Sequence, residues 1–199
     1  MRFILFIGPP GSGKGTQAQR LSQTLGYKHL VMGDLLRQEI QSGSRLGEKV
    51  RPIVESGGLV PDEWVIELIG GQIRAGENYI LDGFPRTLKQ AEALQTLIRA
   101  HQGQLCAVVA LEVPETELVT RLLRRREMEG RTDDNEVTIR HRLQEYEAKT
   151  LPLLDYYETQ ALLHRISGIG EVEEITNRIQ EVLTKCLIEH HVSARDSDR

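Results

Sequence analysis

Cysteine is scarce. Cys106 and Cys186 are the only two in 199 residues, and two thiols cannot build the disulfide framework of a small secreted domain or a Cys-x-x-Cys metal half-site. The expected compartment is a reducing cytosol. Long apolar runs are absent too, none approaching the ~20 residues that cross a bilayer, so no membrane partner is expected. The apolar run at residues 3–7 is shorter than a signal-peptide core and stops at Gly8-Pro9-Pro10-Gly11. Aromatics make up only 5% of the chain, and 25 Lys plus Arg against 29 Asp plus Glu leave a net charge of −4. Neither a basic surface nor stacking residues between basic ones are there to hold nucleic acid. The six histidines are scattered, which argues against a histidine metal centre. With 39% hydrophobic residues, the chain can bury a core without covalent staples, as one domain with modest insertions.

The apolar segments at residues 3–7, 28–31, 79–81, 107–113 and 162–166 lack polar alternation. They read as strands buried on both faces, and stretches of helical period lie between them. This is the pattern of an α/β protein with a parallel sheet, although the strand order is not readable. A long polar stretch at residues 33–77 carries two amphipathic segments flanking Ser56-Gly57-Gly58-Leu59-Val60-Pro61, an inserted helical unit in outline. A smaller excursion spans residues 126–135, where Asp133 followed by Glu136 reads as a helix start. The polar end, residues 189–199, reads as a mobile tail.

The strongest motif is Gly8-Pro9-Pro10-Gly11-Ser12-Gly13-Lys14-Gly15-Thr16, between the first strand and a helix-forming run at residues 17–25. Glycines let successive N–H groups turn inward around phosphate oxygens, the helix offers its positive end, and Lys14 adds a full charge. Gly15 stands where G-x-x-x-x-G-K-[ST] requires a hydroxyl, and Thr16 follows one place later. Direct Mg²⁺ ligation by a hydroxyl is therefore not expected. Tyr79-Ile80-Leu81-Asp82 reads as a buried strand ending in a carboxylate that can order Mg²⁺ or its waters near phosphates. Arginines gather at the two excursions, namely Arg37, Arg86, Arg121, Arg124, Arg125, Arg126, Arg131, Arg140 and Arg142. Their planar forks suit phosphate oxygens, and Arg121 and Arg125 share one helix face.

Six ordered segments together resemble the adenylate kinases, a branch of the nucleoside-monophosphate kinase family, in their short-lid form. They are residues 8–18, Gly33-Asp34-Leu35-Leu36-Arg37, Gly58-Leu59-Val60-Pro61-Asp62-Glu63, Asp82-Gly83-Phe84-Pro85-Arg86-Thr87 with Gln90, Arg121 with Arg125, and residues 130–135 followed by 140–143. The resemblance implies a three-layer P-loop nucleotide-kinase fold around a parallel five-stranded sheet, with a helical NMP-binding insertion at residues 31–60. It implies a short lid at 126–136 and a core of residues 1–30, 61–125 and 137–188. It further implies phosphoryl transfer from ATP to AMP, giving two ADP. Gly11, Ser12, Gly13, Lys14, Gly15, Thr16, Arg121, Arg125 and Gly170 would hold ATP. Met32, Arg37, Gly58, Leu59, Val60, Gly83, Phe84, Pro85, Arg86, Gln90, Arg131 and Arg142 would hold AMP. Lys14, Arg86, Arg125, Arg131 and Arg142 would be catalytic. Mg²⁺ would arrive with ATP and be reached through water by Asp82 and Asp34. A lid this short leaves no room for a zinc site, and a cytoplasmic monomer is expected.

Met32 departs from the family pattern, since adenylate kinases usually carry Thr there and UMP/CMP kinases Ala. A thioether donates no hydrogen bond to a base. Gln90 and Thr87 favour AMP, yet a UMP/CMP or broader monophosphate kinase stays open, as does a catalytically silent nucleotide sensor. Trp64, with Val65, Leu68 and Ile69, reads as helix packing rather than a base platform.

Overall fold

A computed structural model describes residues 1–129 and 135–196. Five strands, β1 (Arg2–Ile7), β2 (Lys28–Val31), β3 (Tyr79–Asp82), β4 (Gln104–Glu112) and β5 (Leu163–Ser167), form one parallel sheet in the order β2-β3-β1-β4-β5. The five predicted strands are all present. β4 begins three residues earlier than its apolar run, because Gln104 and Leu105 pair with Arg2 and Phe3 of β1.

Alternation along β1 shows why these runs lack polar residues. Phe3, Leu5 and Ile7 enter one apolar cluster with Val65 and Ile69 of α4 (Asp62–Gly70), Ala91, Leu94 and Ile98 of α5 (Leu88–Ala100), and α8 (Pro152–Glu158). Ile4 and Phe6 enter the other, with Ala18 and Leu21 of α1 (Lys14–Leu25) and Ile175, Ile179 and Leu183 of α9 (Val172–Asp196). Both faces are therefore dry, which is the condition for a parallel sheet. Leu118 and Leu122 of α6 (Glu115–Glu129) make a third cluster with Ile139 and Leu143 of α7 (Glu136–Glu145). No described helix is long and apolar enough to cross a membrane.

The structure refines three local readings. α1 starts at Lys14, three residues before the predicted run, because Gly13 adopts the left-handed conformation that turns the loop into the helix. The first amphipathic segment of the insertion divides into α2 (Met32–Ser42) and α3 (Arg45–Glu55). Gly43 closes the first, and the Ser44 side chain accepts the Gly47 N–H at 2.9 Å to open the second. The N-cap of α7 is Asn135, whose side chain accepts the Thr138 N–H at 3.0 Å; the predicted cap, Asp133, lies outside the described residues.

Order in the sheet places the site. β1 sits between β3 and β4, so the loop after it opens at the carboxyl edge of the sheet where the chain's winding changes direction. Ligands of open α/β sheets bind in that crevice.

Candidate active site

The loop after β1 brings its N–H groups to the start of α1 through two left-handed glycines, Gly11 and Gly13. Gly15 has a further reason to lack a side chain. A Cβ there would stand 3.1 Å from Asp82 Oδ2, so the glycine lets the carboxylate at the end of β3 approach the helix start. Asp82 is only 5% exposed, and His29 of β2 stands 3.9 Å from it without a hydrogen bond. Ser12 is buried, Thr16 is exposed, and the Gly13 Cα faces the Arg121 guanidinium, 4.0 Å from where a Cβ would be. Arg121 itself is held by Glu117 one turn back at 2.7 Å.

Lys14 donates to the Pro9 carbonyl at 3.3 Å. Burial pulls its pKa from 10.5 down to about 8; Asp82 opposes that, and Arg86, Arg142 and Arg125 add to it. Three guanidinium groups from three different elements therefore act on the one ammonium of the phosphate loop. Burial likewise lowers Arg86, with Asp82 opposing and Arg37 adding to the effect. Such a gathering of positive charge around one carboxylate suits the binding of anions.

Two adjoining cavities share this charge. One is lined by Gly8, Pro10, Lys14, Pro85 and Thr150, and the other by Met32, Leu36, Arg37, Val65 and Gln90. Gly57, Leu59, Gly83, Arg86 and Arg142 line both, so the two spaces meet at two arginines. Gly58 and Val60 line the second cavity only, while Phe84 is buried behind the loop.

Hydrogen bonds hold the second cavity's wall. Arg86 Nε donates to the Gly83 carbonyl at 2.8 Å, Thr150 Oγ1 donates to the Arg86 carbonyl at 3.0 Å, and the Arg86 N–H donates to Gln90 Oε1 at 2.8 Å. Arg37 donates to Asp34, which puts Asp34 on the Arg37 side of the cleft. On the far wall, His141 Nδ1 lies 2.9 Å from the Ser56 carbonyl, and the stem of Arg142 packs against Gly57.

Of the residues expected to act, Lys14, Arg86, Arg125 and Arg142 converge, and Asp82 lies among them. Gly170 lines neither cavity and lies beside Glu174 and Arg178. Arg131 lies outside the described residues. Trp64 lines neither cavity and receives Lys49 Nζ 5.4 Å from its ring centre, whereas its neighbour Val65 does line the second. His29 and Thr150 escaped the reading of the sequence, each an ordinary residue type in no phosphate motif; Asp62 stood inside the family segment at residues 58–63 but without a role, and only its tertiary neighbours supply one.

The family model described as adenylate kinase matches residues 6–162. Three relatives, each called adenylate kinase, are similar over nearly their whole lengths. The protein of Thermus thermophilus is 53% identical over 180 residues, 90% of this chain and 96% of its own. That of a Synechococcus species is 48% identical over 90% of this chain and 97% of its own. That of Leptospira biflexa is 44% identical over 90% and 98%.

Proposed function

The chain belongs to the adenylate kinase family, and we infer that it transfers the terminal phosphoryl group of ATP reversibly to AMP, giving two ADP. One observation supports the reading most: two cavities, one at the phosphate loop and one lined by Met32 and Gln90, meet at Arg86 and Arg142. Two nucleotides bound with their phosphates toward each other would put the transferring group between those arginines. In this reading the loop from Gly11 to Thr16 and Arg121 hold ATP, and Gly170 lies toward its adenine. Arg37, Arg86 and the backbone of residues 58–60 and 83–85 hold the AMP phosphate and sugar, with Gln90 at the base.

Phosphoryl transfer asks mainly for in-line positioning and for positive charge on the developing oxygens. Lys14, Arg86, Arg125 and Arg142 supply that charge, with Arg131 as the lid-side partner. An AMP phosphate is already an anionic nucleophile near neutral pH, so no general base is needed. Residues 31–60 form the acceptor-binding unit; the short lid expected at residues 126–136 falls in part on residues 130–134, which lie outside the described residues.

Among the described residues no cluster of three His, Cys, Asp or Glu could cage a metal. A buried carboxylate beside the phosphate loop nevertheless suits Mg²⁺, which keeps its waters and takes one or two carboxylates plus phosphate oxygens. Asp82 would hold those waters, with Asp34 as the more distant acid, and the ion would neutralise charge on the ATP phosphates. Cys106 and Cys186 form no disulfide, which suits a cytoplasmic protein; the reading takes it as a monomer.

The test is a panel of AMP, CMP, UMP and GMP, each offered with MgATP. AMP is expected to give the highest kcat/KM. Preference for CMP or UMP would overturn the acceptor, and no turnover with any would leave a nucleotide sensor.

A further inference from the structure

The second cavity reads its base with little. Arg37, Arg86 and Arg142 are its charged residues, the remaining lining is apolar or glycine, and Gln90 is its one uncharged polar side chain. Met32, only 2% exposed, brings no hydrogen-bond donor. Base discrimination therefore falls on a single amide.

An amide is an ambiguous reader, because turning it by 180° exchanges its donor and its acceptor. A 6-aminopurine presents a donor at N6 beside an acceptor at N1. A 6-oxopurine presents the reverse, an acceptor at O6 beside a donor at N1. A glutamine free to turn would serve both.

Gln90 is not free to turn. It is 2% exposed, its Nε2 donates to Asp62 Oδ1 at 2.7 Å, and its Oε1 accepts the Arg86 N–H at 2.8 Å. An ionised carboxylate only accepts and a backbone N–H only donates, so the two neighbours admit one orientation. Turned over, the amide would set oxygen against carboxylate and NH₂ against N–H. Thr87 holds the lock in place: its hydroxyl donates to Asp62 Oδ1 at 3.0 Å and accepts the Gln90 N–H at 3.2 Å. One hydrogen of Nε2 and one lone pair of Oε1 remain to meet the base.

We propose that Asp62 is the positioning residue that sets acceptor-base specificity, pinning the Gln90 amide so that a 6-aminopurine monophosphate is accepted and a 6-oxopurine monophosphate is refused. The proposal rests on the reading that places Gln90 at the acceptor base. Asp62 itself does not touch the nucleotide; it acts through Gln90, and the mispaired base pays in unsatisfied polar groups.

The experiment compares AMP with IMP as acceptors for MgATP, taking the ratio of their kcat/KM values in the parent chain, Asp62→Asn, Thr87→Val and Gln90→Ala. Asparagine keeps the shape of Asp62 but can offer either hydrogen or oxygen, so only the Arg86 half of the lock survives. Asp62→Asn is expected to lower the AMP-to-IMP ratio about tenfold, the discriminating value of one charge-assisted hydrogen bond, with KM for MgATP unmoved. Thr87→Val should lower it by about threefold, through a looser Asp62. A merely structural Asp62 would depress both acceptors alike and leave the ratio unchanged, which overturns the proposal if Gln90→Ala still collapses it. Should Gln90→Ala leave the ratio unchanged as well, the placement of Gln90 at the base falls, and the lock with it.

Discussion

The two halves of the cleft are built in opposite ways. On the side proposed to take ATP, residues 8–16 are one unbroken stretch that offers backbone N–H groups, a helix start and Lys14. On the side proposed to take AMP, Met32 and Arg37 come from α2, residues 58–60 from a loop, Arg86 from the turn after β3, Gln90 from α5 and Arg142 from α7. The first half depends on local conformation. The second depends on side chains holding one another, as Gln90 does with Asp62 and Arg86 with Thr150. Replacements remote from the phosphates should therefore disturb AMP far more than ATP.

Arg86→Ala tests that contrast most severely, because Arg86 lies where the halves meet. By analogy with arginine fingers, kcat should fall by about 10³ to 10⁵, or ~4 to 7 kcal/mol of transition-state stabilisation. Binding of MgATP, followed by calorimetry, should change little. An equal loss of ATP affinity would place Arg86 on the donor side and erase the division.

Gly57→Ala should have a smaller, one-sided effect. Gly57 has φ +79°, and an added Cβ would stand 2.8 Å from both Arg142 Cγ and Thr138 Cγ2. Backbone strain and a displaced Arg142 should raise KM for AMP about tenfold, since small misplacements of a positioning group are costly, while KM for MgATP stays within about twofold. Equal increases for both nucleotides would show that Arg142 serves the two halves alike.

The smallest expected effect is a fraction of a proton. With Lys14 at about 8 in the empty enzyme, much of it is neutral at mildly alkaline pH, and arriving phosphates favour its charged form. ATP binding at about pH 8.5 should take up roughly three-quarters of a proton, read from calorimetry in buffers of different ionisation enthalpy; AMP alone should take up less. The same shift has a sign for stability. Lys14 holds its proton less tightly folded than unfolded, so the unfolded chain carries more protons between about 8 and 10.5, and this group's contribution to stability rises with pH across that window. ATP binding without proton uptake would mean that Lys14 is already charged in the empty cleft.

Legibility in the sequence follows the same division. The strands announced themselves because burial on both faces removes polar residues from every position, as Ile4 and Phe6 on one side and Phe3 and Leu5 on the other require. The phosphate loop was legible because its glycines and Lys14 act within nine residues. The break between α2 and α3 at Gly43 and Ser44 was a local signal read too coarsely. Asp62 was legible only as part of the family segment at residues 58–63, without a role, since an Asp in the first turn of a helix is ordinary, and nothing within α4 reports that Gln90, 28 positions later, donates to it.

The sequence by itself determined the α/β alternation, the anion-binding loop and the family, because these rest on periodicity and on motifs whose chemistry is complete within a short span. Only the tertiary structure decided the strand order, the meeting of Arg86, Arg125 and Arg142 around Lys14, and the orientation of the Gln90 amide. Those depend on distances between segments far apart in the chain, and such distances are set by how helices pack on the sheet.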